Sequence, residues 1–327
     1  MSFGKSSRIL CILEILYKET DESHILTQPE IRNILSSSYS IQICRETFYH
    51  DIALLIDHNI PISTFRDNHR GYYIDSREFT MAEILYLIHS VYASAELSAD
   101  LSRNFEKKIL KNLSRHSASE LRKEFLLKEP LKNEDTDIMK NLWDIYDARL
   151  NGQKIRFNYC HYDLNKNKEP SKQFEMVIPA ALIRWQMNTY LVGKTERFDD
   201  YTIFRLDRMT DIKMEEKNFY TEDLIADPYD YAAKHLSMHA GKPITAVLRC
   251  KNLPNVNVMD KVIDEFGKNV VVAERTDAYF DIWVKATEDG ILRIVQKYSE
   301  LFFVVSPDTL RQKMISIIRE NVKFYAL

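Results

Sequence analysis

The chain has 327 residues, 45% hydrophobic and 28% charged, with 45 Lys and Arg against 48 Asp and Glu for a formal charge of −3. That length exceeds one ordinary single-core domain, and the apolar fraction excludes wholesale disorder. The balanced charge excludes a global basic field, so any nucleic-acid contact must come from a local patch.

Ile9, Ile12, Leu13 and Leu16 recur at helical spacing and predict a first amphipathic helix. Thr27-Gln28-Pro29-Glu30 reads as a capping box opening a second helix, which Ser36-Ser37-Ser38 is expected to stop. A third helix is predicted from Arg45 to His58, with Phe48, Ile52, Leu55 and Ile56 as its buried stripe. Arg45, Glu46, Tyr49 and His50 then face away from that stripe near the helix start. Ile60 to Phe65 and Gly71 to Ile74 read as two short strands, joined as a hairpin by the polar tip Arg66 to Arg70.

Three short helices followed by a hairpin is the order of a winged helix-turn-helix. The string RETFYHDIALLIDHNIPI…HRGYYI resembles the N-terminal domain of the DeoR-like bacterial regulators, with Thr47, Asp51 and Gly71-Tyr72 in place. Two positions depart from that pattern: Cys44 stands where a hydroxyl N-cap is usual, and His50 where Arg is usual. The resemblance implies duplex DNA as partner. Arg45, Thr47, Tyr49 and His50 are the expected contacts from the helix, and Arg66, His69 and Arg70 those from the wing. Against this, Thr27 to Ile74 holds four basic residues and five acidic ones, and Arg45 and Glu46 read equally as a solvated helix face.

Thr80 to Phe125 is helical in pattern, with polar breaks near Ser98-Ala99-Asp100 and Arg115-His116-Ser117, and Lys128 to Asp137 reads as a linker. Ile138, Leu142, Ile145 and Leu150 predict the apolar side of a further helix. Strand signals follow at Lys154–Tyr162, Phe174–Trp185, Thr189–Lys194, Tyr201–Leu206 and Asp211–Met214. The string KIRFNYCHY…FEMVIPAALIRWQMNTYLVGK…YTIFRLDRM resembles a WYL domain, a bacterial ligand-sensing module built on a small SH3-like or Sm-like β-barrel. Tyr159, Pro179, Tyr190-Leu191 and Phe204-Arg205-Leu206-Asp207-Arg208 carry the likeness, although four residues separate Trp185 from Tyr190.

Strand alternation places Phe204 and Leu206 on one face and Arg205 with Asp207 on the other. Arg205 and Arg208 offer guanidinium forks suited to phosphate, while Tyr159, His161 and Tyr190 add stacking and hydrogen-bonding groups. The resemblance points the same way, to an anionic nucleotide or single-stranded nucleic acid as effector. In the alternative, Arg205 and Asp207 form a surface ion pair, and Tyr190 and Trp185 pack in the barrel.

After Gly241-Lys242-Pro243 the pattern alternates. Strands are expected at Ile244–Cys250, Asn269–Glu274, Tyr279–Ala286 and Leu301–Val305, with helices at Asn257–Phe266, Glu288–Lys297 and Asp308–Asn321. This unit resembles the extension that follows WYL domains, including Ser306-Pro307 before the last helix, and dimerisation or signal transmission is its implied role.

Nothing in the chain argues for an enzyme. No GxGxxG, GxxxxGK[ST] or GxSxG motif occurs among its seven glycines. His235 and His239 sit four apart on an expected helix but lack the Glu of a zincin, and Cys160 and His161 point to opposite faces of a strand. The four cysteines, Cys11, Cys44, Cys160 and Cys250, are dispersed and read as free thiols of a reducing cytosol. No stretch has the length of a membrane span or the core of a signal peptide.

The sequence therefore predicts an α+β multidomain cytoplasmic regulator. Its expected parts are a winged helix-turn-helix over 1–76, a helical connector over 77–130, a WYL-like barrel over 137–220 and an α+β domain over 243–327. It is expected to form a homodimer, to bind operator DNA and to use neither metal nor cofactor. The competing reading is a nucleic-acid-binding accessory protein without promoter specificity, which binds through the barrel.

Overall fold

A computed structural model describes residues 5–124, 137–198, 200–217, 219 and 223–325. The chain divides between residues 134 and 135 into two compact units. The expected linker from Lys128 lies outside the described residues up to its last position, Asp137.

The first unit opens with helices α1 (Lys5–Glu19), α2 (Gln28–Tyr39) and α3 (Arg45–Asp57). They bury Ile12, Ile15, Leu16, Ile31, Leu35, Phe48, Ile52 and Leu55 in one core. The helix α2 starts as expected, its first turn tied by the Glu30 carboxylate, which accepts from the Thr27 N–H at 2.7 Å. It does not stop in the serines but runs to Tyr39, where Ser40 takes the left-handed conformation at φ 56°. Tyr39 packs against the core, and that burial carries the helix through a turn-prone run. On α3 the expected stripe is corrected at one place: Ile56 is 40% exposed, and Asp51 is buried instead.

The expected hairpin is corrected too. Only Ile62–Ser63 (β1) and Tyr73–Ile74 (β2) pair, while Phe65–Asn68 forms a one-turn helix, α4. Its cause is a second capping box, in which Asp67 accepts from the Thr64 N–H at 2.8 Å and the Thr64 hydroxyl at 2.7 Å. The Gly71-Tyr72 step also has a physical reason. Tyr72 exchanges both backbone hydrogen bonds with Leu26, and a Cβ on Gly71 would lie 2.4 Å from the Leu26 carbonyl oxygen.

Helices α5 (Met81–Ala93), α6 (Ala99–Ile109) and α7 (Arg115–Glu124) follow with their own core of Ile84, Ile88, Leu110, Leu113 and Leu121. Polar contacts join them to the α1–α2 turn. Asp21 accepts from the hydroxyls of Ser114 and Ser117, and the rings of His24 and His116 stack at 3.9 Å. Burial alone would raise the Asp21 carboxyl, but hydrogen bonds from Ser114, His24 and Ser117 hold it at about 2. The folded pKa is thus below the unfolded one, so this carboxylate stabilises the joint above pH ~4, and that contribution is lost as pH falls toward 2. Acid titration of α7 amide exchange should show this loss in the wild type. It should start at higher pH when Ser114 and Ser117 are both changed to Ala, and an identical profile would remove the hydroxyls from the account.

The second unit begins with α8 (Ile138–Leu150). Its buried residues are Ile138, Asn141, Ile145 and Ala148, whereas the expected Leu142 and Leu150 are 37% and 66% exposed. Strands β3 (Gln153–Tyr162), β4 (Lys168–Trp185), β5 (Asn188–Lys194), β6 (Thr202–Arg205) and β7 (Met209–Lys217) make an antiparallel sheet in the order β6-β5-β4-β3-β7. β4 starts six residues before the expected Phe174.

The expected closed barrel is not formed: β6 and β7 are the two edges of this sheet. β6 is four residues long and ends in a 3₁₀ turn, Leu206–Arg208, that carries the chain to the opposite edge. The buried Asn141 amide of α8 caps that turn, donating to the Leu206 and Met209 carbonyls at 3.3 and 2.8 Å.

The helix α9 (Pro228–Lys234) ends before His235, which stacks on Tyr231 at 3.7 Å. His235 and His239 therefore do not share a helix, because the chain turns through Ser237 at φ 53°. The last subdomain runs β8 (Pro243–Lys251), α10 (Val258–Phe266), β9 (Val271–Arg275), β10 (Tyr279–Thr287), α11 (Glu288–Lys297), β11 (Phe302–Ser306) and α12 (Asp308–Tyr325). Its sheet order, β11-β8-β10-β9 with antiparallel neighbours, is that of a split β-α-β arrangement. Ala246, Leu248, Ile282, Val284 and Phe302 form its core with one face of the helices. No helix among the described residues is long and apolar enough to cross a membrane.

Candidate functional site

The orientation of α3 is set from its buried side. Arg8 of α1 donates from Nε to Asp51 Oδ2 at 2.6 Å and from its terminal nitrogen to Oδ1 at 2.8 Å, and Asp51 is fully buried. The hydrogen bond to Asp51 raises the Arg8 pKa above its ordinary value despite burial. With Asp51, Phe48 and Ile52 turned inward, helical periodicity turns Arg45 and Tyr49 outward. Arg45 Nε donates to Tyr49 Oη at 2.9 Å, and the guanidinium lies over the Tyr49 ring, 5.4 Å from its centroid.

Arg45, Tyr49, Ile56, Phe65, Arg66 and Arg70 line one cleft of about 1020 Å³ between α2, α3 and the ribbon. Four of the seven expected DNA contacts thus converge: Arg45, Tyr49, Arg66 and Arg70. The other three do not line it. Thr47 Oγ1 sits 3.0 Å from Cys44 Sγ, beside an N-cap thiol that makes no capping bond. His50 is exposed on α3, and His69 is the left-handed cap of α4, edge-on to Phe65.

The even count of charges in this region conceals a segregation. Asp51 is neutralised by Arg8, and Glu30 and Asp67 are held in capping boxes, although Asp67 still lines the cleft; Glu46 and Asp57 are exposed on α3. Arg45, Arg66 and Arg70 form no ion pair among the described residues. Two further residues escaped the sequence reading, Gln28 and Arg32 of α2. Gln28 lines the cleft with its Nε2 buried and without an acceptor, and Arg32 Nε is likewise buried without one. Their only sequence signal is their place in the two turns after a capping box.

The expected ligand residues lie on β3, β5, β6 and the turn after it. Tyr190 and Arg205 are cross-strand partners, Tyr159 Oη accepts from the Arg205 backbone N–H at 3.2 Å, and Tyr159 meets the His161 ring edge-on at 5.7 Å. The Arg205 side chain is engaged: it donates to Asp207 at 3.0 and 2.8 Å and to Asn188 Oδ1 at 2.9 Å. Its hydrogen bond to Asp207 raises its pKa against the opposing effect of burial. The pair is not a surface pair, because Asp207 is fully buried. Arg208 differs: it makes no ion pair among the described residues, and its Nε is buried without an acceptor. Lys168 Nζ donates to the Asp207 carbonyl at 2.7 Å and adds a cation to this corner that the sequence reading did not include. Cys160 is buried and His161 exposed, as strand alternation requires.

Residues 140–214 match the WYL domain family. No curated protein matches the chain. Among solved structures the chain is similar to proteasome accessory factor B/C (PafBC) of Arthrobacter aurescens, at 14% identity and a TM-score of 0.27. The likeness covers 95% of this chain and 47% of that one, so this chain spans about half the length of that protein. It is also similar to a CRISPR Cas-related protein, at 11% identity and a TM-score of 0.38, covering 98% of this chain and 92% of that one.

Proposed function

We propose that this chain is a DNA-binding transcription regulator rather than an enzyme. Its residues 1–76 act as a winged helix-turn-helix, and the WYL-like region senses an anionic nucleotide or single-stranded effector. The observation that carries the reading is the convergence of Arg45, Tyr49, Arg66 and Arg70 on one cleft along α3, with no ion pair on the three arginines among the described residues. The 13 residues of α3 span roughly 20 Å, which fits a major groove, with Arg45 and Tyr49 in its N-terminal turns as base readers and Arg66 and Arg70 on phosphates. The WYL match over 140–214 supports the sensing half.

In this account a homodimer places two copies of α3 in successive major grooves of a two-fold-related operator. An effector held near Arg208 changes their spacing, which requires unequal effector affinity for the two arrangements. Arg45→Ala tests the reading, because the side chain is exposed and its loss leaves the core untouched. Specific duplex binding should weaken about tenfold or more, with thermal unfolding unchanged, since one good base contact carries roughly 1–3 kcal/mol of discrimination. Unchanged affinity would remove Arg45 from the base-reading contacts.

A further inference from the structure

The helix α8 is apolar on two faces. Ile138, Ile145 and Ala148 are buried against the five-stranded sheet. Met139, Leu142, Trp143, Tyr146 and Leu150 recur at helical spacing on a second face, where all but the half-buried Met139 are exposed. Trp143 is 62% exposed, and its ring centroid lies 6.1 Å from that of Tyr146. A contiguous exposed stripe of this kind marks an interaction surface. We infer that it is the homodimer interface, formed by α8 packing antiparallel on α8 of a second copy. The inference rests on the homodimer in the reading above and names the surface that forms it.

Charge commits the stripe to a second copy. Lys140 and Asp147 lie on one flank of it, about 10 Å apart along the helix, and neither forms an ion pair among the described residues. A flank with one cation and one anion is complementary to itself when reversed. A two-fold axis midway between them, beside Trp143 and Asp144, brings Lys140 of each copy level with Asp147 of the other. Opposite charges that flank an apolar seam in this way set the orientation and register of paired helices. In that register the two Trp143 rings meet at the axis, and Tyr146 packs beside Leu142 of the second copy. The interface also has a route to the effector site. On its buried face α8 carries Asn141, whose amide donates to the carbonyls of Leu206 and Met209 on either side of Arg208. A ligand that shifts this turn shifts α8 and with it the dimer, which is the coupling the regulatory reading requires.

The test is sedimentation velocity of the full chain across a concentration series, with wild type, Lys140→Glu, Asp147→Lys and the variant carrying both changes. The wild type should form a dimer that dissociates on dilution. Each single reversal sets like charges against each other at both ends of the interface and should weaken the dimer about tenfold. The double variant restores both pairs with their signs exchanged and should return to near the wild-type affinity. That recovery also excludes misfolding as the cause of the single losses, since the double variant contains both substitutions. Trp143→Glu, at an exposed side chain, should weaken dimerisation about a hundredfold, because it buries charge at the two-fold axis. If the wild type dimerises and the single reversals or Trp143→Glu match it, or the double variant fails to recover, the inference fails while the homodimer stands. If the wild type is a monomer at every concentration, the homodimer and its interface both fail.

Discussion

Replacing Arg8 with Ala should destabilise the three-helix region by about 3–5 kcal/mol, because it leaves the Asp51 carboxylate fully buried without its guanidinium. The size of the effect follows from asymmetry. Desolvation of Asp51 is offset in the native protein by two short charge-assisted hydrogen bonds, and both vanish in the variant. Arg8→Met with Asp51→Leu removes both charges and should recover most of the loss. The three tryptophans, Trp143, Trp185 and Trp283, all lie beyond residue 135, so their fluorescence is silent on this region. The expected result is an earlier urea transition by far-UV circular dichroism with an unchanged tryptophan transition. A single-variant loss under about 1 kcal/mol would show that Asp51 does not depend on Arg8.

Arg205→Ala should produce the converse pattern. Asp207 is fully buried and accepts two hydrogen bonds from the Arg205 guanidinium, so truncation should cost about 3–5 kcal/mol within the five-stranded sheet. Trp185 belongs to that sheet and should report the earlier transition. Arg208→Ala, which breaks no ion pair among the described residues, should cost under about 1 kcal/mol. The two arginines are neighbours in one motif yet call for different experiments. The effector response is tested cleanly by Arg208→Ala, whereas loss of response in an Arg205 variant would be mixed with loss of fold. Should Arg205→Ala leave the tryptophan transition in place, the guanidinium is free to serve a ligand after all.

Much of the fold is legible in the sequence wherever periodicity or a cap marks it. The starts of α2 and α6, the breaks between the connector helices, and each element from β8 to α12 fall within a few residues of their expected bounds. What escaped has identifiable physical causes. Thr64 and Asp67 cap a turn too short for periodicity to register, so a helical turn replaced a hairpin tip. Alternation failed at Asp207 because the 3₁₀ turn at Leu206–Arg208 breaks the two-residue period of β6. Asn141 takes a core position on α8 to satisfy two carbonyls 65 and 68 residues away, a demand that no local pattern records.

The candidate site shows the same division. The residue types around the cleft were legible, and Arg45, Tyr49, Arg66 and Arg70 do converge there. Their electrostatic setting was not, because a count of four basic against five acidic residues ignores which charges are already spent. Asp51 is spent on Arg8, 43 residues away, and Glu30 on its own helix start. Arg32 and Gln28 gave no signal for a related reason: what singles them out is an unsatisfied donor, a property of the packed structure alone.

The most direct test of the account is fluorescence anisotropy of the purified chain on duplex DNA from upstream of its own gene, beside a scrambled duplex of equal length at physiological salt. The account predicts tighter binding to the native duplex by at least two orders of magnitude, a threshold set below the roughly 10³- to 10⁷-fold margin that typically separates specific from non-specific recognition. Equal, weak and salt-sensitive binding to both duplexes would contradict it. That result would move the principal nucleic-acid contact from the α3 cleft to the five-stranded sheet around Arg208.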